Sequence, residues 1–368
     1  MTRRVVLVDL LFFTGRKGGM ESYVREVYSR LSPDDPELEF VGFASRELSA
    51  AGAPWFPGRL VDSGISGEDR IEWARGELLS VSRVARRLDA DVVHCPANFG
   101  PLRSSVPIVL TIHDLLAFRH PEYVPGAYSR ILRFMIRAAA RAARRILTVS
   151  TASRDDIVEF LGVPRERITV TPLAGSAPRD IRPTERRTAQ LLAVGNRMPH
   201  KGFETLLEGL ARIEPARRPL LVITGSHGDD PLIPVVERLG LAEHVELRGW
   251  LSAGELDRLY AESTALVFPT RFEGFGLPPL EAMSRGCPVI VSDIPVMHEV
   301  AGDAAVYLDP TDPDAIADAM LMVLDAPLER ERMSRAGLAR AAEFSWEQTA
   351  AATRPTLLGA ASADVSGR

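Results

Sequence analysis

Residues 265–283 read ALVFPTRFEGFGLPPLEAM and contain two glutamates, Glu273 and Glu281, with seven residues between them. The apolar run at the start predicts a buried strand, and the spacing of Leu280 and Met283 predicts a helix at the end. Glu273 therefore falls on a glycine-rich turn behind the strand, and Glu281 falls in the first turns of the helix. Ligands of open α/β sheets bind in that strand-to-helix crevice. Two acceptor carboxylates there suit a ligand rich in hydroxyl groups, such as a sugar and a ribose.

The same alternation of short apolar strands and longer helical patterns runs through the whole chain. Continuous apolar strands flanked by helices predict an α/β fold with parallel sheets that are covered on both faces. Strands are predicted at residues 5–10, 39–43, 91–95, 108–112, 146–149 and 168–171, and again at 191–194, 220–224, 245–247, 265–268, 289–291 and 305–308.

The length of the chain predicts more than one domain. It has 368 residues, which is more than one hydrophobic core usually spans. Prolines and glycines cluster at residues 172–188, as is typical of a linker. We therefore expect two doubly wound domains of similar size, over residues 1–175 and 188–344. Residues 359–368 are small and polar, and we expect a disordered tail there.

The bulk composition excludes several classes of protein. The net charge of −5 gives no general attraction to nucleic acid. The two cysteines, Cys95 and Cys287, form neither a disulfide framework nor a metal-ligand set, which fits a reducing compartment. The N-terminal apolar stretch is too short for a signal peptide, and no apolar window is long enough to span a membrane. These features predict a cytoplasmic protein without a metal centre.

Glycine-rich loops follow the first predicted strand of each half. The loop GRKGGME at residues 15–21 could bring backbone N–H groups to a phosphate, although it lacks the dinucleotide fingerprint and a tight turn explains it equally well. The loop VGNRMPHKG at residues 194–202 carries Arg197 and Lys201, two cations that suit a diphosphate; a solvated basic loop is the alternative. Hydrolases also use two carboxylates, as an acid/base pair. If a diphosphate binds nearby, however, Glu273 and Glu281 are better interpreted as two groups that bind a nucleotide-sugar.

Two histidines end predicted strands. His113, in the segment TIHD at residues 111–114, would emerge at the crevice edge, where a structural and a functional role are both open. A nucleophilic pair of His94 and Cys95 is disfavoured because adjacent residues of a strand point to opposite faces.

Three further patterns have a local explanation. Ser252-x-x-Glu255 predicts a capping box. Asp312-Pro-Asp314 resembles a D-x-D metal motif, but its place directly before a helical pattern favours a helix N-cap followed by a first-turn proline. Residues 130–145 predict a helix with one cationic stripe, which is either a solvated face or a peripheral contact with anionic lipid on the inner membrane face. The stripe consists of Arg130, Arg133, Arg137, Arg141 and Arg144.

Together these motifs resemble the retaining glycosyltransferases of family 4, which have the GT-B fold. The resemblance covers nearly the whole chain, and its most specific part is residues 268–283. Its other parts are the segments GGME at 18–21, HD at 113–114, TVS at 148–150 and GNR at 195–197 with Lys201. It implies two Rossmann-like domains that face each other across a cleft, with the nucleotide-sugar held by the second domain. It also implies a final helix, at residues 345–358, that crosses back to the first domain.

The resemblance assigns roles to individual residues. It implies that Arg197 and Lys201 bind the diphosphate, and that Glu281 accepts hydrogen bonds from the ribose. It implies that Glu273 and the backbone of Phe275, Gly276 and Leu277 hold the donor sugar and its phosphate, and that Gly18 and Gly19 approach the phosphate. It implies that His113 lies at the reacting centre and that the turn at Gly249 flanks the base. The acceptor site is implied to be lined by residues 96–101 and 120–126.

The implied function is metal-independent, retaining transfer of a hexose from a nucleotide-sugar, with GDP-mannose favoured. No cofactor is implied besides this co-substrate. A glycan, a lipid-linked intermediate and a small natural product all remain open as acceptors. A GT-B nucleotide-sugar epimerase and a non-catalytic sugar-nucleotide-binding subunit are the alternatives.

Overall fold

The computed structural model describes residues 3–15, 18–124, 126–176, 189–226 and 228–362. The chain forms two compact units. The first unit consists of Met1–Leu173 with Ser345–Arg368, and the second unit is Ala174–Phe344. The change of unit falls inside the predicted linker, whose remainder, residues 177–188, lies outside the described residues.

The first unit is built on a parallel sheet of seven strands among the described residues, in the order β3-β2-β1-β4-β5-β6-β7. The strands are β1 (Arg4–Leu10), β2 (Leu38–Ala44), β3 (Arg59–Asp62), β4 (Val92–Cys95), β5 (Ile108–Ile112), β6 (Arg145–Thr148) and β7 (Ile168–Val170). Its helices before the linker are α1 (Gly19–Tyr28), α2 (Arg46–Ala51), α3 (Arg70–Leu79), α4 (Val81–Arg87), α5 (Leu116–Arg119), α6 (Gly126–Ala142) and α7 (Thr151–Leu161).

The second unit contains a parallel sheet of six strands among the described residues, in the order β10-β9-β8-β11-β12-β13. The strands are β8 (Gln190–Val194), β9 (Leu220–Ser226), β10 (Val245–Gly249), β11 (Ala265–Phe268), β12 (Val289–Ser292) and β13 (Ala305–Leu308). Its helices are α8 (Phe203–Arg212), α9 (Ile233–Arg238), α10 (Ala253–Glu262), α11 (Leu277–Ser284), α12 (Pro295–Ala301), α13 (Pro313–Asp325) and α14 (Pro327–Ala341). The predicted α/β class with two doubly wound parallel sheets is confirmed.

The last helix, α15 (Trp346–Ser362), belongs to the first unit, where it packs against α1 and β1. Arg354 donates to both carboxylate oxygens of Asp35, at 2.6 and 2.8 Å, and so ties the helix to the segment before β2. Residues 359–362, predicted as part of a disordered tail, continue this helix, and residues 363–368 lie outside the described residues.

The local capping predictions are confirmed. Ser252 and Glu255 form both halves of a capping box at α10. The Asp312 side chain accepts from the amide of Asp314 at the start of α13, with a proline in the first turn. This acidic pair therefore has a structural role at a helix end. No helix of the described residues is long and apolar enough to cross a membrane.

A pair of carboxyl groups is buried inside the first unit. Asp9 near the end of β1 is 1% exposed and Glu77 on α3 is 2% exposed. Burial raises the pKa of Glu77 well above its usual range, and the nearby charge of Asp9 raises it further. Asp9 Oδ2 and Glu77 Oε2 have no donor among the described residues. A proton held by Glu77 and donated to Asp9 satisfies both oxygens.

This pair predicts that the first unit loses stability as pH rises above 4.5, the ordinary pKa of a glutamate. The pKa of Glu77 is higher in the folded than in the unfolded chain, so its contribution is present below the unfolded value and is lost as pH rises through the folded value. The slope approaches about 1.4 kcal/mol per pH unit for one proton. Urea unfolding measured upward from about pH 5 should show this decline in wild type and not in Glu77→Gln. The exposed Glu72→Gln on the same helix should keep the wild-type slope, and an unchanged slope in Glu77→Gln would contradict the assignment.

Candidate functional site

The second unit brings two distant loops together at one edge of its sheet. β8 and β11 are neighbours, with Leu191 opposite Ala265. From β8 the sheet continues through β9 to β10, and from β11 it continues the other way through β12 to β13. The loops that follow β8 and β11 therefore leave neighbouring carboxyl ends at the point where the strand order reverses, which is where open α/β sheets bind ligands.

An ion pair joins these two loops. Lys201 Nζ lies 2.5 Å from Glu273 Oε1, and the two side chains are 15% and 14% exposed. The ammonium also lies 5.6 Å from the centroid of the Phe268 ring. The structure therefore places the predicted cation and the predicted sugar-binding carboxylate at one spot, partly shielded from water.

Backbone contacts hold the loops in register. The amide of Arg271 donates to the carbonyl of His200 at 2.7 Å. Gly202 has φ +71°, and a Cβ there would lie 2.1 Å from the carbonyl oxygen of Pro269. No larger residue fits so close an approach, so this glycine is required for the two loops to meet.

The start of α11 offers a donor at the same edge. Gly276 is its N-cap, with φ +110°. Pro278 and Pro279 carry no amide hydrogen, and the amide of Leu280 donates to the Gly276 carbonyl. Leu277 thus supplies the first-turn amide at the positive end of the helix dipole. The Phe275 side chain is buried, and its ring lies 5.8 Å from that of Phe344, so its contribution to a ligand is restricted to its backbone.

Glu281, on α11, is held by residues that are distant in sequence. Its Oε2 accepts from the Tyr260 hydroxyl at 3.2 Å, and its Oε1 accepts from the Ser176 hydroxyl at 3.4 Å. Burial raises the pKa of Glu281, while the positive charge of Arg285 opposes that rise. Neither Tyr260 nor Ser176 was among the predicted site residues, because they lie 21 and 105 positions from Glu281.

The Arg197 side chain is paired with a buried carboxylate. Its Nε and Nη2 donate to Asp230, at 2.7 to 3.0 Å, and its side chain is 7% exposed. Its remaining hydrogens are directed at the carbonyls of Gly195, Thr224 and Ile223. Burial alone would raise the pKa of Asp230, but the Arg197 hydrogen bonds lower it below its usual value. Binding of a diphosphate by Arg197 stays a prediction, and the contacts of its side chain point to a role inside the loop.

In the first unit, His113 follows β5 and is oriented by the segment 96–98. Its Nε2 lies 2.9 Å from the carbonyl of Pro96, and its amide donates to Asn98 Oδ1 at 2.7 Å. A carbonyl only accepts, so Nε2 carries the proton and Nδ1 is the acceptor. Burial lowers the pKa of His113, which makes the neutral ring the prevailing form near pH 7. Asn98 has φ +65°, which is an uncommon conformation for a residue other than glycine.

The other histidine at a strand end is structural. His94 is fully buried, and its ring nitrogens lie 2.6 Å from the Tyr28 hydroxyl and 2.8 Å from the Thr111 hydroxyl. Burial lowers the pKa of His94 to about 3 and raises that of Cys95 well above its usual value. Neither group is available as a base or a nucleophile, as the strand geometry predicted.

The predicted phosphate loop of the first unit is fastened by Glu21. Gly18 is the N-cap of α1, and Gly19 is the first residue of that helix. Glu21 is 3% exposed and its Oε1 accepts from the amides of Thr14 and Gly15, at 2.5 and 3.2 Å. The role of this buried glutamate is to fix the loop, which the sequence motif did not reveal. Arg16 and Lys17 lie outside the described residues.

Gly249 ends β10, the edge strand of the second sheet, and is exposed. Trp250, which follows it, is 58% exposed. Among the described residues no three histidines, cysteines or carboxylates are grouped as metal ligands.

Comparisons with known proteins place the chain in a family. The family described as Glycosyltransferase Family 4 matches residues 17–174, and the one described as Glycosyl transferases group 1 matches residues 179–340. The chain is 35% identical, over 271 residues, to O-antigen chain mannosyltransferase B of Escherichia coli, covering 70% of this chain and 71% of that protein. It is 32% identical, over 289 residues, to the MMP alpha-(1->4)-mannosyltransferase of Mycolicibacterium hassiacum, covering 73% and 70%.

Solved structures share the fold. Sucrose-phosphate synthase of Thermosynechococcus elongatus superposes with a TM-score of 0.76 at 18% identity, covering 96% of this chain and 98% of that one. A glycosyltransferase involved in lipopolysaccharide biosynthesis superposes with a TM-score of 0.74 at 15% identity, covering 96% and 99%. At these identities the likeness shows the fold alone. With its family matches and its mannosyltransferase relatives, the chain belongs to the family 4 glycosyltransferases of the GT-B fold.

Proposed function

We propose that the protein is a retaining, metal-independent glycosyltransferase that takes a hexose from a nucleotide-sugar, with GDP-mannose as the favoured donor. The observation that carries the proposal is the Lys201–Glu273 pair at the strand-order reversal of the second unit. In this proposal the cation of the pair binds the diphosphate and its carboxylate binds the sugar hydroxyls. The mannosyltransferase names of the two relatives support mannose as the sugar.

In the proposed reaction, positively charged groups of the protein lie where negative charge develops on the leaving phosphate. Cleavage of the bond between the sugar and the diphosphate leaves negative charge on the phosphate and positive character on the sugar. Lys201 and the amide at the start of α11 stabilise the leaving phosphate, which gives metal-independent catalysis a source of positive charge. Glu273 positions the sugar. The acceptor hydroxyl attacks from the face that the phosphate leaves, and the phosphate oxygen takes its proton, so configuration is retained.

A donor panel tests the proposal. GDP-mannose, UDP-glucose and dTDP-rhamnose are compared by thermal shift, because a ligand that binds the native state raises its apparent stability. We expect the largest shift with GDP-mannose, and we expect GDP release to require an acceptor and to persist in EDTA. Conversion of the donor without any acceptor would favour the epimerase. Loss of activity in EDTA that magnesium restores would refute metal independence.

We also propose that α6 contacts anionic lipid as a peripheral surface. Arg130, Arg137 and Arg141 are exposed on this helix. An apolar row runs along the same helix at a spacing of three, with Tyr128, Ile131 and Phe134 exposed by 57%, 57% and 63%. A cationic row combined with exposed apolar side chains is typical of helices that lie in a membrane interface. Each arginine adds about 1 kcal/mol near an anionic surface.

Vesicle flotation of the full chain tests this contact. We expect binding to vesicles of 70% phosphatidylcholine and 30% phosphatidylglycerol, and loss of most binding in Arg130→Gln/Phe134→Ser. The matched control is Arg335→Gln/Leu328→Ser on α14, which removes an exposed arginine and a leucine that is 79% exposed. Equal binding by both double variants, or no binding by wild type at low salt, would refute the contact.

A further inference from the structure

The carboxylate of Glu281 is positioned by two hydroxyl groups, one on each oxygen. Tyr260, which is fully buried, donates to Oε2, and Ser176 donates to Oε1. A carboxylate oxygen has two lone pairs, so each oxygen keeps one acceptor site after these bonds. The plane of the carboxylate is fixed, and two neighbouring acceptor sites remain.

The two donors are themselves held by a buried cation. Arg285 is 4% exposed and donates through Nε to Asp257 Oδ1 at 2.7 Å. Its Nη2 donates to the Ser176 hydroxyl oxygen at 3.0 Å, and its Nη1 donates to the Ser176 carbonyl at 3.2 Å. The guanidinium lies 5.6 Å from the centroid of the Tyr260 ring. One arginine therefore contacts both of the residues that bond the carboxylate.

Arg285 also ties this group to the helix that carries Glu281. Its Nη1 donates to the Glu281 carbonyl at 3.0 Å, one turn earlier in α11. The backbone and the side chain of Glu281 are thus fixed by the same cluster. A side chain bonded this way loses little conformational freedom when a ligand binds, so its hydrogen bonds to a ligand are strengthened by preorganisation.

We propose that Tyr260 is a positioning residue that aims the two remaining acceptor sites of Glu281 at a vicinal diol, the 2′- and 3′-hydroxyls of the donor's ribose. This inference rests on the proposed function, because it takes the ligand to be a nucleotide-sugar. In this arrangement Tyr260 sets the angle of the Glu281 carboxylate. The site distinguishes ribonucleotides from deoxyribonucleotides, and Tyr260 is part of that discrimination.

Calorimetric titration with GDP and with 2′-deoxy-GDP tests the inference. Loss of one hydrogen bond to a charged group lowers affinity by about tenfold or more. We expect wild type to prefer GDP by about tenfold or more. We expect Tyr260→Phe to weaken GDP severalfold and to weaken 2′-deoxy-GDP, which keeps only the 3′-hydroxyl, by a smaller factor, so that the preference shrinks. Loss of affinity by the same factor for both ligands would overturn the inference.

A second variant and a control keep the result interpretable. Ser176→Ala removes the donor to the other oxygen and should shrink the preference in the same way, even if Tyr260→Phe folds poorly. Tyr307→Phe is the matched control, because its hydroxyl donates to the Gly302 carbonyl at 2.7 Å, apart from this cluster. It should keep the wild-type preference. Wild-type binding of GDP with a preference that both variants retain would overturn the positioning role alone, whereas no wild-type binding of GDP or UDP would overturn the proposed function with it.

Discussion

Replacing Lys201 by methionine should lower kcat/KM for transfer by about 10²–10³-fold while the second unit stays folded. Removal of one donor that stabilises developing negative charge has an effect of this size. The ammonium lies 2.5 Å from Glu273 and is 15% exposed, so bulk water does not replace it fully. Steady-state kinetics with the best donor of the panel measure the loss. Near-normal turnover would contradict the assignment.

Arginine should not rescue this position. Lysine and arginine number 44 in the chain, and only Lys17 and Lys201 are lysines. Nearly all basic residues of the chain are arginines, yet the loop after β8 carries a lysine with its compact ammonium. The Lys201 side chain passes 3.6 Å from the position that a Cβ on Gly195 would occupy. The planar guanidinium of Lys201→Arg has a different shape and hydration. We therefore expect the arginine variant to resemble the methionine variant; wild-type rates in it would show that charge alone is sufficient.

The scarcity of lysine also allows a test that does not depend on turnover. With two lysines and the N-terminal amine, acetylation by acetic anhydride can be followed peptide by peptide. GDP at saturation should protect Lys201, while the N-terminal amine, as an internal control, should react at an unchanged rate. Equal reactivity of Lys201 with and without GDP would show that the ammonium does not meet the diphosphate.

Most of the fold follows from local sequence pattern. Apolar runs predicted twelve strands of the two sheets, because a parallel strand buried on both faces is continuously apolar. The strand without such a prediction is β3, at the edge of the first sheet, where Arg59 and Asp62 are exposed. A strand that is half exposed lacks the signal. Its position is set instead by a close approach, since a Cβ on Gly58 would lie 1.9 Å from the carbonyl oxygen of Phe40.

The candidate site was predictable in position and less so in its contacts. Strand ends and glycine-rich loops indicated where Lys201, Glu273 and Glu281 would lie, because parallel strands end at one edge. Which side chains form ion pairs and hydrogen bonds with each other depends on contacts between segments that are distant in sequence. Lys201 and Glu273 are 72 positions apart, and Arg197 and its carboxylate are 33 apart. No periodicity or motif spacing encodes such a pair.

Arg197 provides the second large effect, on stability. Replacing it by alanine should lower the free energy of unfolding of the second unit by about 3–5 kcal/mol, because it leaves a buried carboxylate without its partner. Asp230 is 9% exposed and accepts three hydrogen bonds from the guanidinium. Three backbone carbonyls, among them that of Ile223 in β9, lose a donor as well. Urea unfolding and hydrogen exchange of the β9 amides measure the effect.

Controls separate this structural role from the phosphate-binding role that the family resemblance implies for Arg197. The double variant Arg197→Met/Asp230→Leu should recover part of the loss, because removing both charges removes the desolvation cost of the one left behind. Arg217→Ala breaks an exposed pair with Asp325 in the same unit and should change stability by less than about 1 kcal/mol. If Arg197→Ala kept wild-type stability and weakened GDP binding tenfold, the guanidinium would be a ligand of the diphosphate. Because Arg197 is bonded to Asp230, we expect the opposite result: Arg197→Ala should lose much of its stability. We expect it to bind GDP more weakly only because the loop is disturbed, so the double variant should regain part of the GDP affinity.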